Sequence, residues 1–287
     1  VVFFDEMGGT ASIAQTSAAV DALFDEDGLR ACGRFTAARV QSAQDPRFAS
    51  AVSVLGRAFC GSDKTCPDPC YQWVYDGGPP PFEPLPTPPS AQRERWFTWL
   101  SRISLQWGLN RGGVYLLLDG HDVVAVSVAT PPGARHAPGW WEMLGMMCSL
   151  GLPPSSDSST GGVSQRMAAL ESKLKEVFAE ESQQSRPLHV AMVGCDPDRQ
   201  GQGIGSAMLR FLSEVADADM ASAYLETVGV RNETFYERKG GYKLARRTTI
   251  KHGGDTLDIN GGMAIMIRPA KTMAEKESKS PVPDADE

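Results

Sequence analysis

Three glycines at alternate positions, Gly201, Gly203 and Gly205, form the segment of this sequence best suited to binding a charged ligand. An apolar run, Leu188 to Val193, precedes them, and a run with helical periodicity, Ile204 to Val215, follows them. A strand, a glycine-rich turn and a helix in this order direct a row of backbone N–H groups, backed by the helix dipole, at an anion. The segment therefore predicts an anion-binding site.

The spacing of the glycines excludes two common nucleotide-binding motifs. No Gly-Lys-Ser/Thr follows, as a mononucleotide-binding loop requires. The dinucleotide fingerprint fails because Ser206 or Met208 stands where its third glycine belongs. The remaining pattern is Gln-x-x-Gly-x-Gly, from Gln200 through Gly203 to Gly205.

This pattern resembles the pyrophosphate loop of the GNAT superfamily of acyl-CoA-dependent N-acyltransferases. A second motif agrees with it, since Tyr224-Leu-Glu-Thr227 is followed by Arg231-Asn232 and then by Phe235-Tyr-Glu-Arg238. Together these segments are similar to a strand and the following helix of GNAT enzymes, and most similar to the puromycin N-acetyltransferase-like branch. The resemblance covers about residues 34 to 268, and its N-terminal half is a looser pattern match.

The resemblance implies an α/β fold in which helices flank a central, splayed, mostly antiparallel sheet. Acetyl-CoA is the implied co-substrate, and it would lie between the strand ending at Cys195 and the strand beginning at Ala223. The backbone of Val193, Gly194 and Cys195 would pair with its pantetheine arm, as an added strand does. The other implied cofactor contacts are Arg199, Gln200, Gly201, Gln202, Gly203, Ile204, Gly205, Ser206, Asn232 and Tyr236.

Two side chains are the expected catalytic groups. By resemblance, Tyr236 is the general acid that protonates the departing CoA thiolate; packing of its helix is the alternative role. An alkyl ammonium of pKa near 10.4 is only about one part in a thousand neutral at physiological pH, so a base must take its proton. Glu226, on the strand beside the cofactor strand, is the expected base, and pairing with a neighbouring strand is the alternative.

The expected function is acetyl transfer to a primary amine of a small molecule, by direct attack and without a covalent enzyme intermediate. One alternative is a non-catalytic acyl-CoA-binding module. It is motivated by Lys239-Gly240-Gly241, which lacks the family's bulky apolar residue and predicts a loosened turn beside the acid. The other alternative is a protein or peptide N-acetyltransferase, which the long insertions at about 60–90 and 131–162 disfavour because they predict an enclosed pocket.

Composition limits the other partners. The net charge of −7 and the pI of about 5.2 argue against binding to nucleic acid or to an anionic membrane. No apolar stretch approaches the roughly 20 residues that span a bilayer, and we expect a soluble, cytoplasmic protein. Cys60, Cys66 and Cys70 lack a nearby fourth ligand, so no metal is expected. The sequence does not indicate an oligomeric state.

The sequence is divided into an N-terminal extension (1–33), one acyltransferase domain (34–269) and a disordered tail (270–287). The proline- and glycine-rich insertion at 60–90 is expected to be a long loop with extended segments. A helix begins after Ser90, and core packing is the expected role of its tryptophans. Core packing is also favoured for Trp140-Trp141, although these residues stand where GNAT folds roof the acceptor pocket.

Overall fold

Alternating and β-branched apolar runs form ten strands in the computed structural model, which describes residues 17–78, 83–134, 140–156, 161–258 and 261–271. The strands are β1 (Leu29–Cys32), β2 (Phe35–Arg39), β3 (Val114–Asp119), β4 (Asp122–Thr130), β5 (Leu188–Cys195), β6 (Ala223–Thr227), β7 (Lys243–Thr248), β8 (Ile250–His252), β9 (Asp255–Leu257) and β10 (Met263–Arg268). The helices are α1 (Ala18–Asp21), α2 (Phe48–Cys60), α3 (Pro69–Asp76), α4 (Ala91–Leu109), α5 (Trp140–Leu150), α6 (Val163–Gln184), α7 (Ile204–Ala218) and α8 (Val230–Gly240), with a 3₁₀ turn at Pro197–Arg199.

Eight of these strands form one mixed sheet in the spatial order β1-β2-β3-β4-β5-β6-β10-β7. Every neighbouring pair is antiparallel except β5 and β6, which are parallel. Helix α7 provides the crossover between these two strands, as a parallel connection requires. The predicted mixed α/β sheet flanked by helices is thus confirmed.

The sheet divides the core into two layers. One face packs against α2, α3, α4 and part of α6, and the other face packs against α7 and the short helix α1. The serine cap predicted for α4 is present, because the Ser90 hydroxyl accepts a hydrogen bond of 3.1 Å from the Arg93 amide. Helix α7 buries its apolar stripe, including Met208, Leu212 and Val215, against the sheet.

β5 and β6 are joined at two residue pairs only, Leu188–Ala223 and His189–Tyr224. On its other edge β5 pairs with β4 from His189 to Cys195, but Ala191 has no partner in that register and forms a bulge. A bulge bends and twists its strand locally. The bend lies where β5 separates from β6, so the bulge at Ala191 accounts for the predicted splay.

Several elements differ from the sequence-based expectations. β1 lies within the segment predicted to be an N-terminal extension (1–33), and it joins the sheet by pairing with β2. The stretch at 60–90, predicted to be a loop, contains α3, whose start is capped by Asp68 and whose Trp73 is fully buried. The dipeptide Asp45-Pro46, whose residue types are typical of a helix start, lies in a turn before α2, where the Asp45 carboxylate accepts a hydrogen bond of 2.8 Å from the Arg47 amide. Residues 1–16, His136 and residues 272–287 lie outside the described residues.

Gly113 allows the start of β3 to approach β4 closely. A Cβ atom at this position would lie 1.7 Å from the Ala129 carbonyl oxygen, and the Gly113 oxygen accepts a hydrogen bond of 2.7 Å from the Ala129 amide. Because both atoms belong to paired backbone, neither can move aside cheaply.

We expect Gly113→Ala to lower the free energy of unfolding by about 3 kcal/mol, since the hairpin must open to admit the methyl group. Urea unfolding followed by circular dichroism measures the change. Gly145→Ala is the matched control, because a Cβ on that helical glycine meets nothing within 4 Å. Equal urea midpoints of unfolding for Gly113→Ala and Gly145→Ala would contradict the close approach of the two strands at Gly113.

Candidate active site

The gap between β5 and β6 leaves one edge of β5 without a strand partner. Beyond His189, none of the described residues of β6 pairs with β5. Residues 190–195 therefore present backbone N–H and C=O groups that an extended ligand can satisfy in the manner of an added strand. Val193, Gly194 and Cys195, the predicted pantetheine contacts, all line this gap.

Gly194 is required by the helix behind the gap. A Cβ atom on it would lie 2.8 Å from Leu55 Cδ1 and 3.1 Å from Ala58 Cβ, both on α2. Helix α2 therefore packs directly on one face of β5 beside the gap.

The glycine-rich loop is open to solvent at the N-terminus of α7. Gly201 and Gly203 have φ angles of +78° and +80°, which glycine adopts without strain. A Cβ atom on either residue would meet nothing within 4 Å. The first amides of α7 have no intrahelical acceptor and point into this space together with the helix dipole. The loop fits a pyrophosphate.

The predicted cofactor residues converge on one cavity of about 1710 Å³, and Gln202 is the exception. The Gln202 side chain instead accepts a hydrogen bond of 3.3 Å from Arg34 in the β1–β2 turn. Arg199 lines the cavity, but its guanidinium donates to Asp119 and Asp122 at 3.1 and 2.6 Å. The charge of Arg199 is thus already paired, and this residue ties the loop to the β3–β4 hairpin.

Helix α8 carries Asn232 and Tyr236 to the cavity wall opposite the loop. The Asn232 side chain donates to the Val228 carbonyl at 3.2 Å, so it fastens the start of its own helix. Tyr236 packs edge-on against Phe235 and Tyr242. Burial, and secondly the nearby charge of Asp68, raises the pKa of the Tyr236 phenol above its usual value. This phenol is therefore a proton donor throughout the physiological range.

The turn after Tyr236 is not loosened, contrary to the expectation from Lys239-Gly240-Gly241. Gly240 is buried, and a Cβ atom on it would lie 2.7 Å from the Tyr242 ring and 3.3 Å from Leu209 Cδ1. The Tyr242 side chain fills the space next to Gly240, and Gly241 ends the helix with a left-handed φ of 68°.

Glu226 lies at the bottom of the splay and is paired with His189 across the two strands. The distance from Glu226 Oε2 to His189 Nε2 is 2.8 Å, and both side chains are buried. The imidazole stacks on Tyr224 with ring centroids 4.4 Å apart. The cross-strand pairing that was the alternative role for Glu226 is therefore present, although both residues also line the cavity.

A second carboxylate, Asp68, enters the cavity and was missed by the sequence analysis. It caps α3 by accepting a hydrogen bond of 3.0 Å from the Tyr71 amide. Burial raises the pKa of Asp68 to about 6, and the amides of Tyr71 and Cys70 oppose this shift. The Asp68-Pro69 dipeptide is itself a helix-start signal and could have located this residue.

Beyond the cofactor gap the cavity widens into an apolar chamber between α4, α5 and α6. Trp96, Trp99 and Trp107 of α4, expected to be core residues, line it, although Trp96 is also well buried. Trp141 is 79% exposed on the outside of α5 and thus neither packs in the core nor roofs the chamber. Typical small-molecule pockets are roughly 300–1,000 Å³. The cavity is therefore large enough for two ligands at once.

All six cysteines are free thiols, and the described part of the chain contains no group of three or more acidic, His or Cys side chains able to hold a metal ion. Cys195 lines the cavity, but burial and the neighbouring Asp196 raise the pKa of its thiol to about 11. None of the described helices combines the length and the apolar character needed to cross a membrane.

Comparisons with known proteins address the fold. A scan against models of known protein families finds no match to this chain. Among solved structures, arylalkylamine N-acetyltransferase 7 (putative) of the mosquito Aedes aegypti is similar with a TM-score of 0.50 and 11% sequence identity, over 81% of this chain and 86% of the other. Arylalkylamine N-acetyltransferase 2 of the same insect aligns with a TM-score of 0.49 and 11% sequence identity, over 83% of this chain and 99% of the other.

A protein of Corynebacterium glutamicum, described as histone acetyltransferase HPA2 and related acetyltransferase, aligns with a TM-score of 0.48 and 15% identity, over 82% of this chain and 96% of the other. At these identities the comparisons bear on the fold alone. The chain has the fold of the GNAT acetyltransferases.

Proposed function

We propose that this protein is an acetyl-CoA-dependent N-acetyltransferase that acts on the primary amine of a small molecule. The observation that carries the proposal is the convergence of three features on one cavity: the unpaired edge of β5, the open glycine loop at α7, and the Tyr236 phenol. These features match the pantetheine arm, the pyrophosphate and the thioester sulfur of one ligand, in that order.

Acetyl-CoA supplies an activated acyl group, and the protein supplies its position. Successive N–H groups of a strand point to opposite edges, and the Asp196 amide donates to Val124 of β4, so the amides of Val193 and Cys195 face the gap. These amides hold the arm extended and offer a donor for the oxyanion that forms on the acetyl carbonyl. The amides at the start of α7 bind the pyrophosphate. Holding amine and thioester in contact accounts for a large part of the rate gain.

Tyr236 is the proposed general acid. Its phenol lines the cavity at the α8 wall and is protonated at physiological pH, so that it can donate to a departing thiolate. The raised pKa of the Cys195 thiol disfavours a thiolate nucleophile at that position. Direct attack by the amine, without a covalent enzyme intermediate, is the route that these two groups support.

Asp68 is the proposed base, in place of Glu226. Asp68 lines the same cavity as the proposed acid Tyr236, and its charge adds to the effect of burial in raising the pKa of that phenol. An amine attacking the thioester must also lie next to that acid. Glu226 already has His189 as a partner at 2.8 Å, and the pair fastens the two strands at the bottom of the splay.

The non-catalytic alternative loses the observation that motivated it, because Tyr242 fills the turn at Gly240. The protein or peptide acetyltransferase alternative would need an open groove beside the thioester. Helix α5 instead covers the chamber, and its residues Met143, Met146 and Met147 line the cavity. The roof supports a small acceptor.

We expect Tyr236→Phe to lower kcat for acetyl transfer by about 100-fold, because the thiolate must then leave without a proton donor. A coupled assay of free thiol release measures kcat, and calorimetry should give a Kd for CoA within about twofold of the wild-type value. Tyr242→Phe is the matched control, since it removes a phenol from the same aromatic cluster outside the cavity lining. Equal kcat values for both variants would remove Tyr236 from the mechanism.

We expect kcat/KM of the wild-type protein to fall as the pH drops through about 6, because protonated Asp68 cannot accept the ammonium proton. Asp68→Asn should lower kcat/KM by about 100-fold at pH 7.5 and abolish this acid limb. Asn retains the helix cap. Asp63→Asn is the control, because it removes an exposed carboxylate close to Asp68 in the sequence and should leave kcat/KM unchanged.

Folding gives an independent readout for Asp68. Its pKa in the folded state is raised above the unfolded value of about 3.9, so the native state binds the proton more tightly and stability falls as the pH rises from about 4 to 6. Asp68→Asn should therefore be no less stable than wild type at pH 7.5. A variant that keeps the wild-type rate and the acid limb would show that Asp68 is not the base.

A further inference from the structure

The chamber beyond the cofactor gap has one apolar wall and one apolar roof. The wall is the face of α4 that carries Trp96, Trp99, Ile103 and Trp107. The roof is α5, where Met143, Met146 and Met147 recur at helical spacing and line the cavity. Methionine and tryptophan side chains suit the binding of a flat or irregular apolar group.

The roof is fastened to the wall at both ends. Near the start of α5, Glu142 pairs with the buried Arg111 at 2.8 Å and accepts from Asn110 at 3.0 Å. Just past its end, the Gly151 carbonyl accepts a hydrogen bond of 3.0 Å from Trp99 Nε1. Contacts within the protein therefore hold α5 beside α4 at both ends of the chamber.

The cavity lining also carries carboxylates. Asp68, Glu171 and Glu226 line the same cavity as the apolar wall and roof. Burial is the main cause of the raised pKa of the Tyr71 phenol in this lining, and Cys70 and the three carboxylates add to the shift. Burial also raises the pKa of Glu171, which Lys175 partly opposes. The part of the lining that carries the carboxylates, the entrance, is negative and the rest is apolar, a combination that suits a cation attached to a hydrophobic body.

We propose that the acceptor is a primary amine carried on a large apolar body, with an aromatic ring as the best fit, whose amine lies at Asp68 and whose ring lies between α4 and α5. This inference rests on the proposed acetyl transfer. A long acyl chain on CoA is the competing occupant of the chamber. The carboxylates at its entrance disfavour an acyl chain, because they would be desolvated without a cation.

Kinetics with matched amines test the inference. At saturating acetyl-CoA, we expect kcat/KM for tryptamine and 2-phenylethylamine to exceed that for putrescine by at least about tenfold, since even one methylene group in an apolar pocket changes kcat/KM by about that factor. A preference for putrescine would overturn the inference. So would a higher kcat/KM for octanoyl-CoA than for acetyl-CoA.

Two variants of the wall locate the effect. Trp107→Ala removes an aromatic surface, and Ile103→Trp fills the chamber without creating a cavity in α4. Both should raise KM for tryptamine by about tenfold and leave the Kd for CoA within about twofold. Trp141→Ala is the matched control, because Trp141 lies on the exposed outer face of α5, and it should change neither the KM for tryptamine nor the Kd for CoA. An unchanged KM for tryptamine in both wall variants would overturn the inference.

Calorimetry separates this inference from the proposed function. Binding of tryptamine to the CoA-loaded protein without thiol release from acetyl-CoA would contradict acetyl transfer and support the chamber as an amine site. Thiol release with putrescine, together with no detectable binding of tryptamine, would support acetyl transfer and contradict the chamber assignment.

Discussion

The candidate site depends on a strand pairing that stops after two residues. β5 stays paired with β4 as far as Cys195, with a bulge at Ala191, but leaves β6 after His189. Unpaired backbone groups inside a protein are costly unless another partner satisfies them, so the open edge of β5 is a strong constraint on what the gap must hold. The bulge at Ala191 produces the divergence, and the His189–Glu226 pair fastens its lower end.

The same divergence explains the positions of the surrounding elements. Because β5 and β6 are parallel, the chain must cross between them through a helix, and that helix begins at the open end of the gap. The first amides of α7 and the glycines before it therefore lie at the mouth of the cleft. Helix α8 follows β6 and carries Tyr236 back to the same place. The topology of the sheet thus brings the glycine loop, the open edge of β5 and the Tyr236 phenol together.

The sequence was sufficient for the parts of the site that are local. The glycine loop, α8 and the β3–β4 hairpin are each encoded within a few adjacent residues, by turn glycines, helix caps and alternating apolar residues. Their mutual arrangement followed from the family resemblance. The loosened turn at Gly240 was predicted wrongly because the Tyr242 ring and Leu209 close the space beside this glycine, and the positions of these side chains depend on tertiary packing.

The acceptor side was not predictable for the same reason. Asp68 and the α4 tryptophans become part of one cavity only when α3, α4 and α5 pack beside the gap, and no local pattern distinguishes a tryptophan facing a chamber from one facing a core. The proline-rich composition around α3 also concealed a helix that is held mainly by tertiary contacts, such as the burial of Trp73. Residue spacing alone carries no information about such long-range packing.

Hydrogen–deuterium exchange with and without CoA tests most directly whether the gap in the sheet receives an extended ligand through its backbone. The account predicts that CoA slows exchange of the amides in 190–195 and 200–206, since both segments would donate to the ligand, and leaves β3 unchanged. Protection confined to other segments, with the amides of β5 and the loop exchanging at their original rates, would contradict it.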